Sequence, residues 1–213
     1  MKLNRTLLIA LLIVGLAAPI ALHATEAQAL TVSYTGVTPG NYGIYNGYYA
    51  GFYNLSVDGQ TIQGMCDDFL THVPNNTWQA SLNTTEDILA GKGRWGSDLA
   101  TYNVLGYLFM QTFEADSASE LADINAAIWR VTYTGLNLTG HALDLYNEAK
   151  DQINFMGWYG KMNILTPEYI TGTTTYASQE YLVQAPVPEP ATLILLGTGL
   201  LGIAGIGRRK FKK

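Results

Sequence analysis

The final segment of the chain, residues 187–213, restricts the rest more than any other feature. It reads VPEPATLILLGTGLLGIAGIGRRKFKK. An uncharged apolar run, residues 191–207, follows Pro188, Glu189 and Pro190 and precedes Arg208, Arg209, Lys210, Lys212 and Lys213. A helix rises about 1.5 Å per residue and a bilayer core is about 30 Å thick, so a span takes roughly 17–25 apolar residues. Residues 191–207 reach the lower end of that range. A core helix of a soluble domain carries an apolar stripe, not apolarity on every side ending in a block of cations. The segment is therefore expected to be a transmembrane helix, with Arg208, Arg209 and Lys210 as its cytoplasmic stop. The folded body has to be complete without it.

The opposite end follows export logic too. Lys2 and Arg5 form a positive start, residues 7–22 an apolar stretch, and Ala27-Gln28-Ala29 a small-residue cleavage site. Such a sequence is a secretory signal rather than part of a fold. The expected organisation is a signal peptide over residues 1–29, an ectodomain over residues 30–186 and a membrane-directed tail over residues 187–213. Passage through the Sec export machinery is implied.

The order Pro-Glu-Pro, apolar helix, Arg-Arg-Lys resembles the PEP-CTERM sorting signal of Gram-negative bacteria. The resemblance covers only the tail. It implies a substrate of an exosortase, a membrane peptidase that cuts near Pro188, Glu189 and Pro190 and releases or transfers the ectodomain. It also implies a transient stay in the inner membrane, then a place at the cell surface or in the exopolysaccharide matrix of a biofilm.

The ectodomain differs in charge from the chain as a whole. Glu26 and Glu189 fall outside it, as do Lys2, Arg5 and the five terminal cations; fifteen acids then face five bases, a net charge of minus ten. Such a surface repels nucleic acid and anionic lipid. It suits a soluble secreted domain and could attract cations that bridge to acidic polysaccharide. Cys66 is the sole cysteine, so no disulfide forms within the chain and stability must come from an apolar core.

Along the ectodomain, Leu30 to Tyr34 alternates as a strand and residues 36–47 read as a loop. Residues 49–57 alternate with Tyr53, Leu55 and Val57 on one face. Asp58-Gly59 follows, and residues 60–66 hold Ile62, Gly64 and Cys66 in phase, which predicts a hairpin. Residues 67–83 read as a loop. Thr85 to Leu89 starts a short helix that stops near Gly91. Residues 97–113 carry Leu99, Tyr102, Leu105 and Phe109 at helical spacing. Ser117-Ala118-Ser119-Glu120 is a capping box for a helix through Tyr133 with Leu121, Ile124, Ile128 and Val131 inward. Thr139 or Gly140 opens a third helix, with Ala142, Leu145, Tyr146, Ala149 and Ile153 inward and Gly157 as its stop. Residues 171–184 return to strand. Strands, then helices, then strands predict an α+β domain: a β-hairpin within a small antiparallel sheet or barrel, flanking a central helical segment.

Two patches carry the chemistry. They read Gly64-Met65-Cys66-Asp67-Asp68-Phe69 and Ile124-Asn125-Ala126-Ala127-Ile128-Trp129. A Cys before acidic residues at a strand end, followed downstream by a helix reading Q-x-A-I-W, resembles the thioester domains of bacterial surface adhesins. In those domains the Cys thiol and the Gln carboxamide form an internal thioester that a surface amine attacks. Here Asn125 stands in place of the Gln. The loss of one methylene shortens the side chain by about 1.5 Å, and a 1 Å misplacement already costs orders of magnitude in a reaction. The resemblance then implies such a fold without its crosslink; a covalent adhesin acting through Cys66 is the alternative, and a hydrolase of matrix glycans, which the missing acid/base signature disfavours, is the third reading.

Other chemistry has less support. A lone Cys defaults to a small buried hydrophobe, and neither His72 nor His141 stands in a nucleophile–base signature. Asp67 and Asp68 are weak candidates for calcium, because no Asp-rich loop surrounds them. Asn54, Asn75, Asn83 and Asn137 each open an N-x-S/T triplet, which an Asn/Thr-rich surface produces by chance. Trp78, Trp95, Trp129 and Trp158 could stack on sugar rings, but aromatics are more often core, and the ordinary reading packs Trp129 in the core on its helix and leaves the others filling loops. With no catalytic carboxylate pair, metal cluster or phosphate loop, the sequence predicts a non-enzymatic protein without a cofactor.

Overall fold

The computed structural model describes residues 29–151, 157–173 and 175–184. The expected signal peptide, transmembrane helix, sorting tripeptide and basic stop lie outside these residues. Among the described residues, no helix is long and apolar enough to cross a membrane.

Strands β1 (Leu30–Gly36), β2 (Tyr42–Tyr45), β3 (Tyr48–Val57), β4 (Gln60–Cys66) and β5 (Trp78–Asn83) come first. Helices α1 (Thr85–Leu89), α2 (Leu99–Gln111), α3 (Ala118–Thr132) and α4 (Gly140–Asp151) follow. A 3₁₀ turn (Trp158–Lys161) leads into β6 (Met162–Pro167), and β7 (Tyr181–Gln184) closes the described chain. Six strands pair in the ring β1-β5-β6-β7-β4-β3, and β3 returns to β1. Every pairing is antiparallel. The result is a closed barrel, which removes the exposed edges an open sheet would present. The small sheet or barrel expected from the sequence is thus a six-stranded barrel with helices, an α+β arrangement.

Strand alternation explains the layering. Val32, Tyr53, Leu55, Cys66, Trp78, Ala80, Leu165, Tyr181 and Val183 share one phase and form a buried core inside the ring. The opposite phase of β4, β6 and β7 supplies Met65, Met162, Ile164 and Leu182, which pack outward against Leu105, Leu108 and Phe109 of α2 and Leu121, Ile124 and Ile128 of α3. Helix α2 is buried continuously from Tyr102 to Phe109, because it lies between the barrel and the other helices. Two apolar cores do the work that disulfides would do in a smaller exported domain.

Two predicted turns are realised as read. Asp58 and Gly59 take φ of 46° and 82° and join β3 to β4. Ser117 caps α3 by accepting from the Glu120 N–H. Three strands differ from the sequence reading. Residues 36–47 hold β2, turned onto β3 by Asn46-Gly47 with φ of 49° and 87°; that dipeptide is as strong a hairpin signal as Asp58-Gly59. Residues 67–83 contain β5, whose Trp78 and Ala80 point into the barrel. Strand β6 is buried at all six positions, so it lacks the alternation that marks a half-exposed strand. Conversely, residues 171–184 contribute strand only at Tyr181–Gln184, preceded by a loop that the Tyr169–Tyr176 bridge closes. Ile153 lies outside the described residues.

Candidate functional site

The two patches singled out in the sequence meet in the fold. β4 ends at Cys66, and the chain then turns across α3. The Asn125 side chain, fully buried on α3, donates from Nδ2 to the Cys66 carbonyl at 2.8 Å and accepts at Oδ1 from the Gly51 N–H at 2.7 Å. Thr132, two turns further along α3, donates its hydroxyl to the Asp67 carbonyl at 2.5 Å. Phe69 lies between Tyr48, Trp129 and Tyr133, with ring centroids 5.0, 5.2 and 5.6 Å away. Asn125 thus joins the bends of β3 and β4 to α3. Gly51 is required at that bend: with φ of 133°, a Cβ there would stand 2.6 Å from the Asn41 carbonyl oxygen.

This geometry gives Cys66 and Asn125 different partners from those a thioester would need. The carboxamide is engaged on both sides by main chain, and the Cys66 thiol donates to the Asp68 carbonyl at 3.0 Å and accepts from the Asp68 N–H at 3.3 Å. Burial and the neighbouring Asp67 push the thiol well above its ordinary pKa. A thiol held protonated inside a barrel is a poor nucleophile.

Asp67 and Asp68 enter a buried ionic cluster that the sequence reading did not assemble. Arg94, on the loop before α2, pairs its Nη1 with Asp68 Oδ2 at 2.7 Å. Its Nη2 donates to Thr71 Oγ1 at 3.0 Å, and its guanidinium lies 4.4 Å from the Tyr176 ring centroid. Glu180, fully buried just before β7, accepts from the Arg94 N–H at 2.9 Å, the Thr166 hydroxyl at 2.5 Å and the Tyr102 hydroxyl at 3.3 Å. Asp67 accepts from the Trp95 indole N–H at 2.9 Å, while its Oδ1 receives no N–H or hydroxyl donor.

Burial raises both carboxyl pKa values, and the Glu180 charge pushes Asp67 further up, well above the usual carboxylate range. Three donors favour the ionised form of Glu180 and offset part of the effect of its burial. The cluster ties the end of β4, the loop around Arg94 and the start of β7 into one unit. The remaining acid is used as well: Asp68 caps the Leu70 and Thr71 N–H groups. Among the described residues, no group of three His, Cys, Asp or Glu side chains is placed to hold a metal ion. Two signals could have pointed to the cluster: Arg94, one of only five ectodomain cations, and Glu180, isolated ahead of the apolar Tyr181-Leu182-Val183 run.

The tryptophans and tyrosines divide. Trp78 stacks on Tyr181 inside the barrel at 6.5 Å, and Trp129 is buried on α3. The expectation that Trp78 fills a loop is corrected: its strand phase turns the ring inward. Exposed aromatics include Tyr48 and Tyr49 of the β2–β3 hairpin, with Phe113 and Tyr169 elsewhere. Tyr49 is 53 % exposed beside Ile44 at 59 %, and Tyr42 meets Tyr49 edge-on at 5.1 Å.

Residues 186–210 match the PEP-CTERM protein-sorting motif, and the chain is an exosortase substrate directed to the cell surface. No curated protein and no solved structure is similar to the chain.

Proposed function

We propose that the ectodomain is a non-enzymatic component of the cell surface or exopolysaccharide matrix. In this reading residues 1–29 direct Sec export, residues 191–207 hold the chain in the inner membrane, and exosortase separates it near Pro188, Glu189 and Pro190. The observation that carries the reading is the position of the motif. The match begins at residue 186 and the last barrel strand ends at Gln184, so cleavage in the tripeptide leaves the barrel intact. The binding role draws support from the Tyr42, Ile44 and Tyr49 face, since aromatic rings stack on the apolar faces of sugars. It also draws on the excess of ten negative charges in residues 30–186, which suits cation bridging to acidic polysaccharide. The test is fractionation. The processed ectodomain should co-purify with isolated polysaccharide and leave it when divalent cations are chelated. Recovery in the polysaccharide-free supernatant under both conditions would overturn the matrix role.

A further inference from the structure

A cleft of about 910 Å³ opens between the barrel and the turn joining α2 to α3. Its walls combine Phe52, Phe109 and Phe113 with the amide side chains of Asn41, Gln63 and Asn163. Gln184, the last residue of β7, is also part of its lining.

The register shows that a tail extending the barrel would lose a ladder hydrogen bond. Asp67 N–H donates to the Glu180 carbonyl, so the alternate residues of β7, Leu182 and Gln184 included, face β4. Gly64 pairs with Val183, which sets the next such position, residue 186, opposite Thr61. That residue is Pro186, which has no N–H to give. An extension of the ladder past Gln184 would lack that hydrogen bond.

The sequence that follows is Ala185-Pro186-Val187-Pro188-Glu189-Pro190. Proline fixes its own φ, and a residue before proline is biased to extended or polyproline II backbone. Every residue from 185 to 190 is one or the other, so an extended form loses little entropy on binding. Aromatic grooves with amide donors for proline-flanking carbonyls are a recurrent mode of recognising such segments. The four residues 185–188 span about 12 Å in that form. Binding that stops at Pro188 also keeps Glu189 away from Asp116, which lines the cleft.

We propose that residues 185–188 dock in this cleft as an extended, polyproline-like segment, so that the ectodomain holds its own sorting tripeptide at a fixed place beside the α2–α3 turn. Tethering at Gln184 gives the segment an effective concentration that no free ligand matches. A bilayer surface is the less favoured occupant, because Glu114 and Asp116 beside Phe113 repel anionic headgroups.

Disulfide trapping in the full-length chain tests this. Val187→Cys is combined either with Phe113→Cys, across the cleft, or with Lys161→Cys. Met162 pairs with Gln184, so Lys161 lies next to the end of the β6–β7 ladder, and it is not part of the cleft lining. Docking predicts that the Phe113→Cys pair oxidises at least tenfold faster than the Lys161→Cys pair. Asp116→Cys serves as a second cleft position, because removing the Phe113 ring also removes its contact with Phe109. Equal rates, or faster trapping at Lys161→Cys, would overturn the proposal. So would protection of Phe113→Cys from a soluble maleimide only when liposomes are present, which would assign the cleft to the bilayer. A docked tail on a protein that never meets polysaccharide would leave this inference standing and remove only the matrix role.

Discussion

Asn125→Ala is the substitution from which the most can be read. It removes the donor to the Cys66 carbonyl and the acceptor for the Gly51 N–H. Both main-chain groups stay buried, and each unsatisfied buried polar group costs about 1–3 kcal/mol. The small void adds to this, at about 24 cal/mol per Å³ that fails to collapse. The expected loss is about 3–5 kcal/mol, a large share of the roughly 5–15 kcal/mol that holds a domain together. Urea denaturation of the full-length chain in detergent, followed by tryptophan fluorescence, measures it as a lower midpoint at unchanged slope. Asn125→Gln, which would restore the residue type of thioester domains, should also destabilise, by about 1–3 kcal/mol, because the site has no room for another methylene. A cost under about 1 kcal/mol for Asn125→Ala, or a stabilising Asn125→Gln, would refute the bracing role.

Further outcomes follow from the buried cluster and the bends. Burial raises the folded pKa values of Asp67 and Glu180, and the Glu180 charge raises Asp67 further, so the stability they contribute is complete below the unfolded value of about 4 and is lost as pH rises through the folded values. Asp67→Asn should flatten this fall and be more stable than the native chain at neutral pH; thermal unfolding across pH 4–8 checks it. Arg94→Met leaves Asp68 buried without its cation and should cost about 3–5 kcal/mol, read by denaturant midpoint. Gly51→Ala forces a Cβ to within 2.6 Å of the Asn41 carbonyl oxygen at a φ of 133°, and should prevent stable folding or lower Tm by several degrees. Cys66 should alkylate at neutral pH only as fast as the chain unfolds, and intact mass should show no loss of ammonia.

The sequence made the periodic and capped parts legible. Asp58-Gly59 set the central hairpin, and Ser117 and Gly140 marked the starts of α3 and α4 as found. The two patches that meet at Cys66 and Asn125 were legible through their resemblance to the Cys and Gln motifs of thioester domains. Strand β6 was hidden because helices cover its outer face, which erases alternation, and β5 because a Pro-containing loop precedes it. The acid cluster was not legible for a different reason: Arg94 and Glu180 are 86 residues apart and meet only once the barrel closes. Local pattern carries no information about that closure.

The account as a whole depends on the tail being a sorting signal that the folded barrel does not need. The direct measurement is the size and location of the chain in cells when Pro188, Glu189 and Pro190 are all replaced by Ala. The replaced chain is predicted to accumulate at full length in the inner membrane, with the barrel folded, while the native chain appears shortened outside it. A replaced chain that is shortened and delivered like the native one would contradict the account.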